Sequence, residues 1–261
     1  MTRDPASPET PRATRAFADH FSAHAATYAS FRPRYPAALF HWLAVVSPGT
    51  ALAWDVATGS GQVATGLVTR FARVVATDAS AEQVARAPRH ARIAYGVAQY
   101  ESGIADGAAQ LVTVGQALHW LDADALCREA RRVLRPGGVL AAFAYQHSRV
   151  SAAVDLVMRH HHDVTLGHYW PAEHHLIEDG YRTIALPIDE LVPPPLDIHE
   201  DWTLAQYTGF TRSWSATQRL IAARGEAPVL AFERELAAAW GAGGVRRTVT
   251  WPLAIRAGEL R

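Results

Sequence analysis

Lysine is missing from this chain of 261 residues; all 25 basic side chains are arginine. A phosphate loop of the G-x-x-x-x-G-K-[ST] type is thereby excluded, because its lysine is obligatory. So is a Schiff base to a carbonyl compound, which needs an amine nucleophile. Cysteine is almost as scarce. Cys127 stands alone, so an internal disulfide and a cysteine-rich zinc site are both out of reach. No apolar run approaches the length of a bilayer span. An excess of charge is lacking too, since 25 acidic side chains balance the 25 basic ones. That balance does not suit a protein built to grip a polyanion or an anionic lipid surface. The first fifteen residues are polar and broken by proline, and they read as a disordered tail with no secretory signal. What is left is a cytoplasmic globular chain, a monomer or homodimer, with no nucleic-acid or membrane partner and a length suited to one domain.

What is present is a regular alternation. Residues 16–30 carry Phe17, Phe21, Ala25 and Tyr28 at helical spacing, and the prolines of FRPRYP end that pattern. A second helix is expected from Ala37 to Val46. Short apolar runs at 51–56, 73–78, 91–98, 110–116 and 139–145 read as buried strands. Helical patterns at 61–71, 80–87 and 122–134 separate them. Strands alternating with helices predict a Rossmann-like, doubly wound α/β sheet, mostly parallel. Beyond residue 146 the pattern loosens. Strands are expected at 183–188 and 247–256, with helices over 203–241. The expected architecture is seven strands, the last antiparallel, in one domain over 16–261. Its core spans 51–145, and 146–246 forms a cap and sheet edge.

The loop Asp55-Val56-Ala57-Thr58-Gly59-Ser60-Gly61 joins the first strand to the next helix. Glycines there let a ligand approach the backbone, and the helix N-terminus offers unpaired N–H groups. Gly59-x-Gly61-x-x-Ala64, with Asp78 nineteen residues after Gly59, also fits a dinucleotide fingerprint. A nicotinamide-dependent oxidoreductase therefore stays open at this point, as does a binding module without catalysis. Asp55 favours a different ligand. A carboxylate facing the loop would repel a pyrophosphate and attract the ammonium and sulfonium of S-adenosylmethionine.

The chain resembles the class I S-adenosylmethionine-dependent methyltransferases, and within them the trans-aconitate methyltransferase-like group. The resembling segments are HFSAHAATYASFRPRYP (20–36), DVATGSGQ (55–62), VVATDAS (74–80), GQALHWLD (115–122) and RRVLRPGGVLAAFAY (131–145). Later echoes are GYRTIALP (180–187), RSWSATQ (212–218) and TWPL (250–253). The resemblance implies that Asp55, Ala57, Gly59 and Gly61 surround the methionine part of the cofactor. It implies that Asp78 holds the ribose hydroxyls, that Ala79 lies beside the adenine with Ala98 and Gln99 flanking it, and that Gln116 underlies the sulfonium. Tyr28 and Arg32 would close over the cofactor. Two departures stand out: Ala57 replaces a usual glycine, and Gln110 replaces a usual aspartate at the start of the fourth strand.

Methyl transfer from a sulfonium is an in-line displacement, so alignment and water exclusion matter more than protein nucleophiles. The expected reaction is O-methylation of a small molecule, with a carboxylate needing no general base. His119, after the fourth strand, is the candidate base where a base is needed. Trp120, Tyr145 and Trp214 are candidate pocket walls, and Arg32 and Arg34 could pair with an acceptor carboxylate. The histidines at 160–162, 168, 174 and 175 lack the H-E-x-x-H spacing, and neighbours on a helix point apart, so a solvated or pocket-lining stretch is expected and no metal site.

Overall fold

The computed structural model describes residues 32–242 and 244–261. The expected helix at 16–30, the tail before it and Tyr28 lie outside the described residues. Helix α1 (Ala37–Val46) runs to the boundaries read from sequence and stops at Ser47-Pro48-Gly49. The alternation then follows: β1 (Leu52–Val56), α2 (Gln62–Leu67), β2 (Arg73–Asp78), α3 (Ala81–Arg86), β3 (Ile93–Val97), β4 (Ala109–Gly115), α4 (Ala123–Val133) and β5 (Leu134–Tyr145). Side chains start the helices locally. Ser80 accepts from the Gln83 N–H, and Asp122 accepts from the Ala125 N–H.

The main path of the sheet has seven strands in the order β3-β2-β1-β4-β5-β8-β6, and β1 to β5 are parallel. Successive residues face opposite layers, as the pleat requires. Trp54, Val112 and Val114 pack with Leu126 and Val133 of α4 on one face. Ala53, Leu111 and Phe143 pack with Leu39 and Leu43 of α1 and Leu67 of α2 on the other.

Beyond β5 come α5 (Ala152–Arg159), a π-helical turn (His160–Thr165), α6 (His175–Glu178), β6 (Ile188–Glu190) and β7 (Asp197–Trp202). Helices α7 (Leu204–Arg212), α8 (Ser215–Arg224) and α9 (Ala227–Trp240) and the strand β8 (Arg247–Leu260) complete the chain. Two differences from expectation concern strands. Residues 183–187 do not join the sheet: Pro187 has no N–H to give a ladder, and Arg256 takes the Tyr181 and Ile184 carbonyls. An eighth strand, β7, was not expected; it pairs antiparallel with the first half of β8.

The 14-residue β8 therefore does two things. Its later part pairs antiparallel with β5 and β6, and its earlier part carries β7 and the cap. The cap has its own core, with Tyr207, Phe210, Trp240 and Trp251 packed together. The β6–β8 contact needs a glycine. A Cβ at Gly258 would sit 2.2 Å from the Asp189 carbonyl oxygen, which is backbone and cannot turn aside. Gly258→Ala is expected to cost about 1–3 kcal/mol, the usual range for overpacking. Urea unfolding checks this as a lower midpoint with an unchanged slope.

Candidate cofactor and acceptor site

Parallel pairing sets the carboxyl ends of β1 to β5 along one edge, where ligands bind in open α/β sheets. The cap faces that edge, and between them lies a cavity of about 1030 Å³. Drug-sized ligands occupy sites of about 300–1,000 Å³, so this one has room for a cofactor and a second molecule.

The loop from β1 to α2 forms one end. Three of its residues are left-handed: Ala57 at φ +52°, Gly59 at +56° and Gly61 at +81°. The two glycines differ in why they are needed. Open space surrounds the Cβ position of Gly59, which lines the cavity. At Gly61 a Cβ would lie 2.5 Å from Tyr95 Oη and 3.2 Å from Ala87, so Gly61 serves packing below the cavity. Ala57 keeps its side chain at a cost of ~1–2 kcal/mol for the left-handed backbone.

Two carboxylates hold this loop. Asp78 accepts from the Gly59 N–H at 2.8 Å and from the Ser80 N–H at 2.8 Å, and its residue lines the cavity. Asp55, expected to face a ligand across the loop, instead lies beneath it, fully buried and outside the cavity lining. The reason is register. Asp55 and Thr113 are partners in the β1–β4 ladder, and Asp55 accepts from Thr113 Oγ1 at 2.8 Å and from Thr58 Oγ1 at 2.5 Å. Burial raises the Asp55 pKa to about 7, against the opposing pull of the two hydroxyl donors.

Of the other expected cofactor residues, Arg32, Ala57, Ala79, Ala98, Gln99 and Gln116 all line the cavity. Gln116, at φ +55°, accepts the Tyr145 N–H at 2.9 Å and gives its own N–H to the Phe143 carbonyl, tying β4 to β5 where they end. Gln110, the departure from the family pattern, works far from the cavity. Its Oε1 accepts the Leu52 N–H and its Nε2 donates to the Ala108 carbonyl, pinning the start of β1 to β4. Arg34 is exposed and gives its backbone N–H to Glu200.

His119, Trp120, Tyr145 and Trp214 also line the cavity. His119 is nearly buried, with Nδ1 3.2 Å from Tyr181 Oη and its ring 4.7 Å from that of Trp120. Burial, helped by the positive charge of Arg32, drops its pKa to about 3. That makes it a neutral group and a feeble base.

Sequence reasoning missed two features. Tyr35 lines the cavity, edge-on to Phe143 with centroids 5.0 Å apart, and its buried hydroxyl has no hydrogen-bond partner among the described residues. Its signal was there, within RPRYP. An unpartnered buried hydroxyl at the glycine-loop end, with open space at Gly59, fits a polar ligand such as the methionine part of S-adenosylmethionine. The second feature is that His147 and Glu178 join the histidine-rich stretch in one wall of the cap. His147, His162, His174 and Glu178 meet there, while His161 turns away to stack on Phe232. Burial lowers the pKa of His147 and takes that of His174 to about 3.

Comparison with known proteins agrees with the site. The methyltransferase domain family matches residues 54–142, from the middle of β1 through most of β5. A structure from Anaeromyxobacter dehalogenans, described as a candidate type II methyltransferase, is 41% identical, with a TM-score of 0.84 over 88% of this chain and 98% of that one. The chain belongs to the class I S-adenosylmethionine-dependent methyltransferases. A candidate methyltransferase of Dictyostelium discoideum is 27% identical over 79% of this chain and 81% of its own length. The YcgJ protein of Bacillus subtilis, 14% identical with a TM-score of 0.51 over 86% of this chain and 97% of that one, shares the fold. In this methyltransferase the nucleotide-binding pattern thus serves S-adenosylmethionine, and the nicotinamide reading is set aside.

The buried Asp55 has a consequence for stability. Its folded pKa of about 7 lies above an unfolded value near 3.9, so the folded state holds the proton more tightly. This contribution is complete below about pH 4 and is lost as pH rises through about 7. Asp55→Asn is expected to flatten the dependence of unfolding free energy on pH across that window. An unchanged pH slope in urea titrations would contradict it.

Proposed function

We propose that this methyltransferase acts on an oxygen of a small-molecule acceptor, a carboxylate, within a single domain located in the cytoplasm. The observation that carries the reading is the burial of His119 against Tyr181 in the cavity wall, which lowers its basicity. A hydroxyl or ammonium acceptor needs a base near neutral pH, whereas a carboxylate arrives already ionised. The segments R-P-x-Y-P, H-W and S-W-S support placing the chain beside trans-aconitate methyltransferase, whose acceptor is also a carboxylate.

Bound S-adenosylmethionine supplies a methyl group already activated by its positive sulfur. The chain's task is to bind, orient and exclude water. Asp78, its carboxylate braced by two backbone amides, would accept from the ribose hydroxyls, with Ala79, Ala98 and Gln99 around the adenine. Gly59 and Ala57 would lie along the methionine part, where Tyr35 would donate its unpartnered hydroxyl, and Arg32 would close this side. Gln116, immobilised by β5, would form the floor beneath the sulfur. His119 would hydrogen-bond the acceptor as a neutral imidazole positioned by Tyr181, between walls made by Trp120, Tyr145 and Trp214.

Calorimetry with S-adenosylhomocysteine tests the cofactor half. The wild type should bind it, NADH should not compete, and Asp78→Ala should lose on the order of 10–100-fold in affinity, the worth of one or two hydrogen bonds to a charged group. Undetectable binding by the wild type would sink the reading and favour a non-catalytic relative. With an acceptor found by screening carboxylic acids, His119→Gln should raise KM more than it lowers kcat. The wild-type kcat should show no ionisation between about pH 5 and 8 assignable to His119, and a limb there that disappears in His119→Gln would restore it as a base.

A further inference from the structure

We propose that the cap wall of the cavity is a binding site for a divalent cation of the zinc class, held by His147, His162 and Glu178 with His174 at its edge. The first three come from separate places, the segment after β5, the π-helical turn and α6, and His174 closes the short turn just before α6. The donor atoms of His147, His162 and Glu178 all lie within 4.8 Å of one another.

The spacing is what points to an ion. Three imidazole nitrogens converge on Glu178 Oε1: His147 Nε2 at 3.7 Å, His162 Nε2 at 3.8 Å and His174 Nε2 at 3.8 Å. These separations exceed those of hydrogen bonds. They suit ligands sharing a cation, because bonds of about 2.0–2.1 Å in tetrahedral geometry set donor atoms about 3.3 Å apart. His162 and His174 are hydrogen-bonded through their Nε2 atoms at 3.1 Å, a contact that a cation on His162 Nε2 would replace, which leaves His174 at the edge of the site.

A second observation is independent of the cluster's spacing. The other nitrogen of His162, Nδ1, meets the Asp163 carboxylate at 2.8 Å. A carboxylate there holds the proton on Nδ1 and leaves the Nε2 lone pair on the side of the ring shared with His174 and Glu178, the arrangement that orients metal-binding histidines. The π-helical turn makes it possible. Its wide hydrogen bond, from the Leu166 N–H to the His161 carbonyl, parts neighbouring histidines, so that His161 stacks on Phe232 while His162 enters the cavity wall. Such turns are frequent at functional sites.

Three protein ligands leave a coordination position open, as in sites that bind substrates. It faces the cavity, and an anionic oxygen of the acceptor would fill it. This last step rests on the acceptor reading above; the cation site does not.

The test uses the full chain without an affinity tag, stripped with chelator and titrated with Zn²⁺ in a calorimeter, and with Co²⁺ followed by visible absorption. One equivalent should bind, with the intense bands of tetrahedral Co²⁺. Glu178→Gln and His162→Gln should weaken binding at least 100-fold, and Asp163→Asn by about 10–100-fold, the usual effect of losing an orienting partner. His147→Ala, at an exposed side chain, guards against loss of folding, and S-adenosylhomocysteine binding by each variant confirms an intact fold. His199→Ala, a histidine on β7 away from the cluster, should change nothing. Absence of Zn²⁺ binding, or binding unaltered by Glu178→Gln and His147→Ala, would overturn the proposal. Failure of S-adenosylhomocysteine to bind a chain that does bind Zn²⁺ would instead count against the assigned cofactor residues.

Discussion

The glycine loop depends on two buried carboxylates at the ends of adjacent strands. Asp55, on β1, grips Thr58 within the loop and Thr113 on β4. Asp78, on β2, grips the amides of Gly59 and Ser80. Each joins a loop to a strand that the ladder has already placed, so the left-handed residues of the loop stay where backbone strain alone would not leave them. The cost of Ala57 at positive φ is tolerable because its neighbours are held on both sides. The cavity's cofactor end is therefore shaped before any ligand arrives, which limits the ordering that binding must oppose.

The acceptor end is organised differently. The cap is built from helices and the early part of β8, and β8 continues into the sheet as the partner of β5 and β6. One continuous strand thus sets the distance between the cap's own aromatic core and the ends of β4 and β5. Gln116 reinforces this from the sheet side by holding the Tyr145 amide. Methyl transfer requires donor and acceptor to be held in line, and this rigid connection between the two halves suits that requirement.

Much of the fold was legible because it rests on local rules. Apolar runs of strand length, helical patterns over 80–87 and 122–134, and the proline–glycine stop after α1 all act within a few residues. Errors came where a local rule met a tertiary demand. The segment 183–187 looks like a strand, but Pro187 and the reach of Arg256 keep it out of the sheet. Asp55 was expected to face a ligand, but the hydroxyls of Thr58 and Thr113 hold its carboxylate beneath the loop, and only the tertiary contacts record that. Tyr35 was within a quoted motif, but only its place in the cavity lining and its buried hydroxyl, without a partner among the described residues, give it a role.

By itself the sequence determined the alternation of strands and helices, the family, and the positions of the glycine loop and of Asp78. These follow from periodicity, turn chemistry and spacing along one short stretch of chain. Only the tertiary structure decided that Asp55 is a buried brace, that His119 is too deeply buried to serve as a strong base, and that His147, His162, His174 and Glu178 share one wall. The physical reason is that burial and convergence are set by what packs against a residue. His147 and Glu178 are separated by thirty residues of turns and short helices, and no periodicity in that stretch records that the chain brings them within 3.7 Å.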